Sequence, residues 1–293
     1  MPGDARESAT MKPGSSGAPA LAWMIVLACG LAPIGCVSAL KEPRPIPEIG
    51  GGGAPPDDGS SPAGIDALLA QAGALFAERG PDAAAIEKVR LAARTYLRAA
   101  VVDGARIESL LGAARAEIWL TDHETDPAAR EEAARAAVEA AQWCGRRAPG
   151  DPACDYWLGA ALGVQARERP ATAMSALPRI EEVFRRARDA RPELDEAGPD
   201  RALALLYLRA PSWPTGPGDP DLGLRHARLA LALRPDYPPN LLAIAEALAA
   251  HGDVAGSRDA YRRALALSRD RASSGDRDAP EWVEESEKAL LAK

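Results

Sequence analysis

An all-α fold is predicted by three features of this 293-residue chain. Alanine, leucine, arginine and glutamate carry most of the sequence, and these residues lose little rotamer freedom in a helix. Aromatic residues make up only 4%, and there is no alternating run of β-branched and aromatic residues of the kind a sheet needs. From Ile65 onward, apolar residues recur at helical spacing between proline and glycine stops. The chain divides into three parts: a leader over 1–35, a Pro/Gly/Ser-rich tether over 36–64 and a helical domain over 65–293.

The leader comes first. No charged residue occurs from Ala18 to Leu40, Lys12 lies upstream, and either Met1 or Met11 can start translation. Leu21-Ala22-Trp23-Met24-Ile25-Val26-Leu27-Ala28 is an apolar core that runs toward Ala32-Pro33-Ile34-Gly35-Cys36. A small residue directly before a cysteine resembles the lipobox of bacterial lipoproteins, with Pro33 standing where that family usually has leucine. The resemblance implies that Cys36 is lipidated and becomes the first mature residue. Val37 follows, without an aspartate, which by the same resemblance implies the outer membrane, facing the periplasm. Two other outcomes stay open: a signal-peptidase cut after Val37-Ser38-Ala39, giving a soluble periplasmic protein, or an uncut membrane anchor. Cys29 is a second, shorter lipobox. The following stretch holds Pro43, Pro45, Pro47, Gly50-Gly51-Gly52-Gly53 and Pro55-Pro56. With no helical period and few apolar residues, it is expected to be a disordered tether that stands the domain off the membrane.

The helical domain reads as about five hairpins. The first pairs Leu69, Ala72, Gly73 and Phe76 with Ala92, Tyr96 and Ala99. The second pairs a helix over Ala105–Leu120, with Leu111-Gly112, with Ala137, Ala141 and Cys144, and stops at Pro149. The third pairs Leu158-Gly159 with Phe184 and Ala187, with extra residues at Glu168 to Pro178 separating the two helices. The fourth sets a helix ending at Tyr207-Leu208 against Gly223, Ala227 and Ala230, and ends at Pro235. The fifth runs from Pro238, with Leu241, Ile244, Ala245 and Leu248 before Gly252-Asp253 and Ser257, Tyr261, Ala264 and Leu265 after it. A last helix over Ala279–Leu291, with Trp282 on a charged surface, is expected to cap the open end.

The spacing of these small and large residues resembles the tetratricopeptide repeat (TPR), a helical hairpin of about 34 residues. Pro235 leads into Pro238, and Pro149 into Pro152, in the repeat's own phase. The resemblance implies a TPR-like α-solenoid with the first helix of each hairpin on its concave face, where Arg115, Gln165 and Glu246 would lie. From Asp200 to Asp270 the layout of Tyr207-Leu208, a loop around Trp213, and Leu224-Arg225-His226-Ala227 resembles bacterial TPR lipoproteins of the TRAP transporter T-component type. In that family the array encloses a pore thought to carry a small hydrophobic ligand to a periplasmic binding protein. Trp213, in the inserted Ala210–Pro217 loop, either plugs its own hairpin or, with Tyr207, forms a ligand or partner rim.

The net charge of −7 has both signs interspersed, which argues against a nucleic-acid face. The three histidines, His123, His226 and His251, lack local metal spacing, and Asp122-His123-Glu124 reads as solvated loop. No phosphate loop or nucleophile elbow occurs, so neither a cofactor nor an enzymatic activity is expected. Cys144 and Cys154 flank the Pro149-Gly150-Asp151-Pro152 turn. In an exported protein they form a disulfide, or else pack as two small buried residues. The expected function is a non-catalytic envelope module that binds a partner protein, a peptide or a small hydrophobic ligand. The alternative is a structural or assembly lipoprotein with no ligand groove.

Overall fold

The computed structural model describes residues 40–51 and 62–292. Helix takes up 79%, and the described residues contain no strand. Eleven α-helices follow one another: α1 Pro62–Ala77, α2 Ala83–Val102, α3 Glu108–His123, α4 Pro127–Arg147, α5 Pro152–Glu168, α6 Pro170–Ala190, α7 Leu194–Arg209, α8 Pro220–Leu233, α9 Pro238–Ala250, α10 Val254–Ser273 and α11 Ala279–Leu291.

Side-chain capping starts five of them. Asp82, Asp126, Asp151, Asp219 and Asp253 each accept a backbone N–H of the first turn. After three of these, at Pro127, Pro152 and Pro220, proline follows at once, where its missing N–H costs nothing. Gly252 and Gly275 end α9 and α10 at positive φ.

Each helix packs on the next, and each odd-numbered helix also touches the next odd-numbered one, from α1 through α11. Among the described residues, the backbones of even-numbered helices do not approach one another, although Arg147 of α4 reaches the Ala100 carbonyl of α2 at 2.8 Å. Alanine dominates the core, so a few large side chains are seated against glycine. The Tyr96 ring of α2 lies over Gly112 of α3, where an added Cβ would come within 2.5 Å. Phe184 of α6 lies over Gly159 of α5 in the same way, at 2.6 Å. A methyl group at either position would force the rings apart. Cys144 of α4 and Cys154 of α5 are joined, with Cα atoms 5.4 Å apart.

Four expectations need correction. The third hairpin has no extra loop at Glu168–Pro178, because α6 starts at Pro170 and runs straight through Pro178. The last helix does more than cap an end: Arg79, just past α1, holds Asp278, just before α11, through Nε at 2.7 Å and Nη2 at 2.8 Å. His123 at the end of α3 meets Glu281 of α11 at 2.8 Å. Asp122 is exposed as expected, but Asp122 and His123 lie in α3, His123 is half-buried, and Glu124 is buried in an ion pair with Arg90 at 2.5 Å.

The fourth correction concerns the tether. Leu40–Gly51 lies along α2 and α4, ending in a 3-10 turn over Ile46–Gly51. Ile49 is fully buried and Ile46 nearly so, each adding about 1.5–3 kcal/mol of burial. The Arg44 guanidinium holds Glu139 at 2.7 Å and Glu132 at 2.9 Å. Pro62, Ala63 and Gly64, also expected in the tether, instead open α1, whereas residues 36–39 and 52–61 of the expected tether, Cys36 among them, and the leader lie outside the described residues.

Candidate ligand-binding face

The contacts between odd-numbered helices bring arginines and aromatic rings together in one band. Phe76 of α1 faces the Arg115 guanidinium of α3 at 5.8 Å, and Trp157 of α5 faces the same guanidinium at 5.3 Å. Beside Trp157, Tyr156 packs edge-on at 5.0 Å. Arg201 of α7 bonds the Tyr156 hydroxyl and lies 5.2 Å from the ring of Tyr237, at the start of α9. Arg271 of α10 approaches the same ring at 5.3 Å, and Trp282 of α11 meets it edge-on at 5.5 Å. Arg79, 4.9 Å from Phe76, carries the series back to α11 through Asp278. A cation over an aromatic face contributes about 0.5–1 kcal/mol when exposed and more when desolvated.

The two arginines at the centre of the band differ. Arg201 is mostly buried and fully engaged. It donates to the Asp195 carboxylate at 2.8 Å, to the backbone oxygens of Asp195 and Glu196 at 3.1 Å each, and to Asn240 Oδ1 at 3.0 Å. Asp195, Glu196 and Ala197 are all left-handed, with φ of 50°, 56° and 65°, a conformation that costs roughly 1–2 kcal/mol per residue. Arg201 and the Asn240 amide bind the carbonyls that this turn presents, and so hold it in place. Tyr156 donates to Asp195 at 2.5 Å. Burial, with Asp195 beside it, raises the Tyr156 hydroxyl far above the usual tyrosine range, so it stays a donor. Burial also pushes Tyr237 up to about 12, against the pull of Arg201. Burial opposes the charge on Arg201, but Tyr156 and Asp195 outweigh it and raise its pKa.

Arg115, by contrast, is exposed between its two rings. Among the described residues it has no carboxylate partner. A guanidinium held by two aromatic faces and left without an anion can accept a carboxylate from outside, with apolar surface on either side.

Of the residues singled out from sequence, Cys144 and Cys154 are brought together, and Arg115 lies in the band. Gln165 does not; it is buried, lining a cleft with Val138 of α4 and Thr172 of α6. Glu246 is engaged with Arg209 at 2.7 Å. Tyr207 is not a rim residue: its ring is 2% exposed, and its hydroxyl is held by Glu181 and Arg185. Trp213 does not plug its hairpin but is 86% exposed, on a loop closed by Gly218 N–H to the Pro211 carbonyl at 2.8 Å. Sequence reasoning missed Arg201, Asn240 and the buried His226–Asp200 pair at 2.7 Å, which ties α8 to α7. It also missed Glu117 of α3, a carboxyl pushed up to about 8 by burial and by the nearby Glu132 and Glu124. Nothing in the spacing of these residues marks them, since Tyr156 and Asn240, which Arg201 joins, and Asp200, which His226 meets, lie on other helices. No helix of the described residues is long and apolar enough to cross a membrane.

Compared with known protein families, the chain matches no family model. Compared with curated proteins, it matches none.

Proposed function

We propose that this chain is a non-catalytic, TPR-like interaction module of the bacterial cell envelope, anchored at Cys36, whose arginine–aromatic band receives a carboxylate-bearing apolar ligand or the end of a partner chain. The observation that carries this reading is Arg115, an exposed cation between Phe76 and Trp157 that has no carboxylate partner among the described residues. The solenoid reading draws on the contact pattern. The backbones of odd-numbered helices meet along one side, and those of even-numbered helices stay apart, which is how a curved stack of hairpins packs. The resemblance to the TRAP transporter T-component supports the same kind of ligand. An accessory role to a periplasmic solute-binding transport system belongs to this proposal.

The test is a titration of the purified protein with decanoate, followed by tryptophan fluorescence. Saturable quenching is expected, weakened about tenfold in Arg115→Ala by loss of a charge-assisted contact. Absence of saturation, or equal binding by the variant, favours the structural or assembly lipoprotein instead. The Arg79–Asp278 and His123–Glu281 pairs between the first hairpins and α11 are what that second reading would use.

A further inference from the structure

The segment that the sequence presents as a loose tether is fixed to the domain from its first described residue. Leu40 packs at the edge of the main core. The Lys41 carbonyl accepts from Gln142 Nε2 at 3.0 Å, and the Arg44 carbonyl accepts from Trp143 Nε1 at 2.8 Å. Pro43, Ile46 and Ile49 are buried, and Arg44 holds two glutamates of α4. Only Val37, Ser38 and Ala39 separate Leu40 from Cys36. Four peptide steps reach at most about 14 Å when fully extended.

We propose that residues 40–51 are a strap that holds the α4–α6 end of the domain directly against lipid headgroups, instead of letting the domain range at tether length. This rests on the reading that Cys36 carries the lipid. Leu40 lines a cleft with Arg146 of α4 and with Arg179 and Arg186 of α6, so these side chains share the anchor's end of the molecule. Their charges are already matched by Glu42, Glu182 and Asp155. The covalent link, not net charge, therefore sets the orientation, and a zwitterionic bilayer is sufficient for it. With the strap in place, the anchor fixes which surface faces the membrane and which helices stay open to the periplasm.

The experiment uses the acylated full-length product in phosphatidylcholine vesicles carrying rhodamine-headgroup acceptors. A donor dye is placed at Arg179→Cys or at Val254→Cys. Val254 is exposed at the start of α10, which touches neither the strap nor α4–α6. Energy transfer is expected to be strong from position 179 and weak from 254. Inserting about twelve Gly/Ser residues between Ser38 and Ala39 adds roughly 20 Å of reach. It should abolish most of the difference while leaving the fold untouched. Ile46→Ser with Ile49→Ser should do the same by releasing the strap. Equal transfer from the two positions in the native chain, or a difference that survives the insertion, overturns the proposal. Intact mass and hydrogen exchange separate the two ways of failing. A chain without acyl mass at Cys36 refutes the anchor, whereas rapid exchange of the 46–50 amides in an acylated chain refutes the strap.

Discussion

The Arg115 and Arg201 ends of the aromatic band use the same side-chain chemistry for opposite purposes. Arg201 sits among Tyr156, Asp195, Asn240 and Tyr237, with its donors taken up and its charge balanced. Arg115 has rings on two sides and open solvent, with no carboxylate partner among the described residues. A guanidinium stacked on aromatics becomes structural when the fold supplies its anion. It becomes a binding group when the anion has to come from elsewhere. The left-handed Asp195–Ala197 turn belongs to the first case: its strain is tolerated because Arg201 and Asn240 bond to its carbonyls.

The contrast can be broken most sharply by truncating both arginines in turn. Arg201→Ala leaves Asp195 without its cation and the turn without its donors, and should destabilise the fold by about 3–5 kcal/mol. Arg115→Ala removes an exposed group and should change stability by less than about 0.5 kcal/mol. Urea unfolding monitored by circular dichroism measures both, and equal losses would erase the distinction. The Arg115 end is also braced by the Cys144–Cys154 link between α4 and α5. Closing so short a loop contributes about 2–3 kcal/mol, so reductant should lower the urea midpoint. Alkylation of both thiols without prior reduction would remove this brace from the account.

A further effect is one of pH, and it separates the ends again. Glu117 lies two residues beyond Arg115 on α3, beside Gly50 of the N-terminal segment, and its folded pKa is raised to about 8. A carboxyl held protonated in the fold binds more protons there than in the unfolded chain between its ordinary pKa and about 8. Its contribution is complete at acid pH and is lost as pH rises through that window, at up to about 1.4 kcal/mol per pH unit. Glu117→Gln should therefore flatten the fall in stability from pH 5 to pH 8. Parallel curves for the two proteins would show that Glu117 does not titrate in this range.

Much of the architecture was legible because its signals are local. Asp126-Pro127, Asp151-Pro152 and Asp219-Pro220 each set a helix start within one turn, and Leu111-Gly112 and Leu158-Gly159 fall at the repeat's close-packing spacing. With the helical period between proline and glycine stops, these signals are enough to read five hairpins and a last helix, which match the eleven helices of the described residues in order and in the packing of each on the next. Only the tertiary structure decided the rest. Pro178 passes inside α6, where its proline signal reads as a break. Tyr207 is buried and Trp213 exposed, although both stand beside the same loop. Arg201 finds Tyr156 and Asn240 on neighbouring helices. Ile46 and Ile49, in a Pro- and Gly-rich stretch that looks unable to fold, become core because α2 and α4 build a groove for them. Capping and helix period act over about four residues, whereas these contacts join residues from 39 to 99 positions apart.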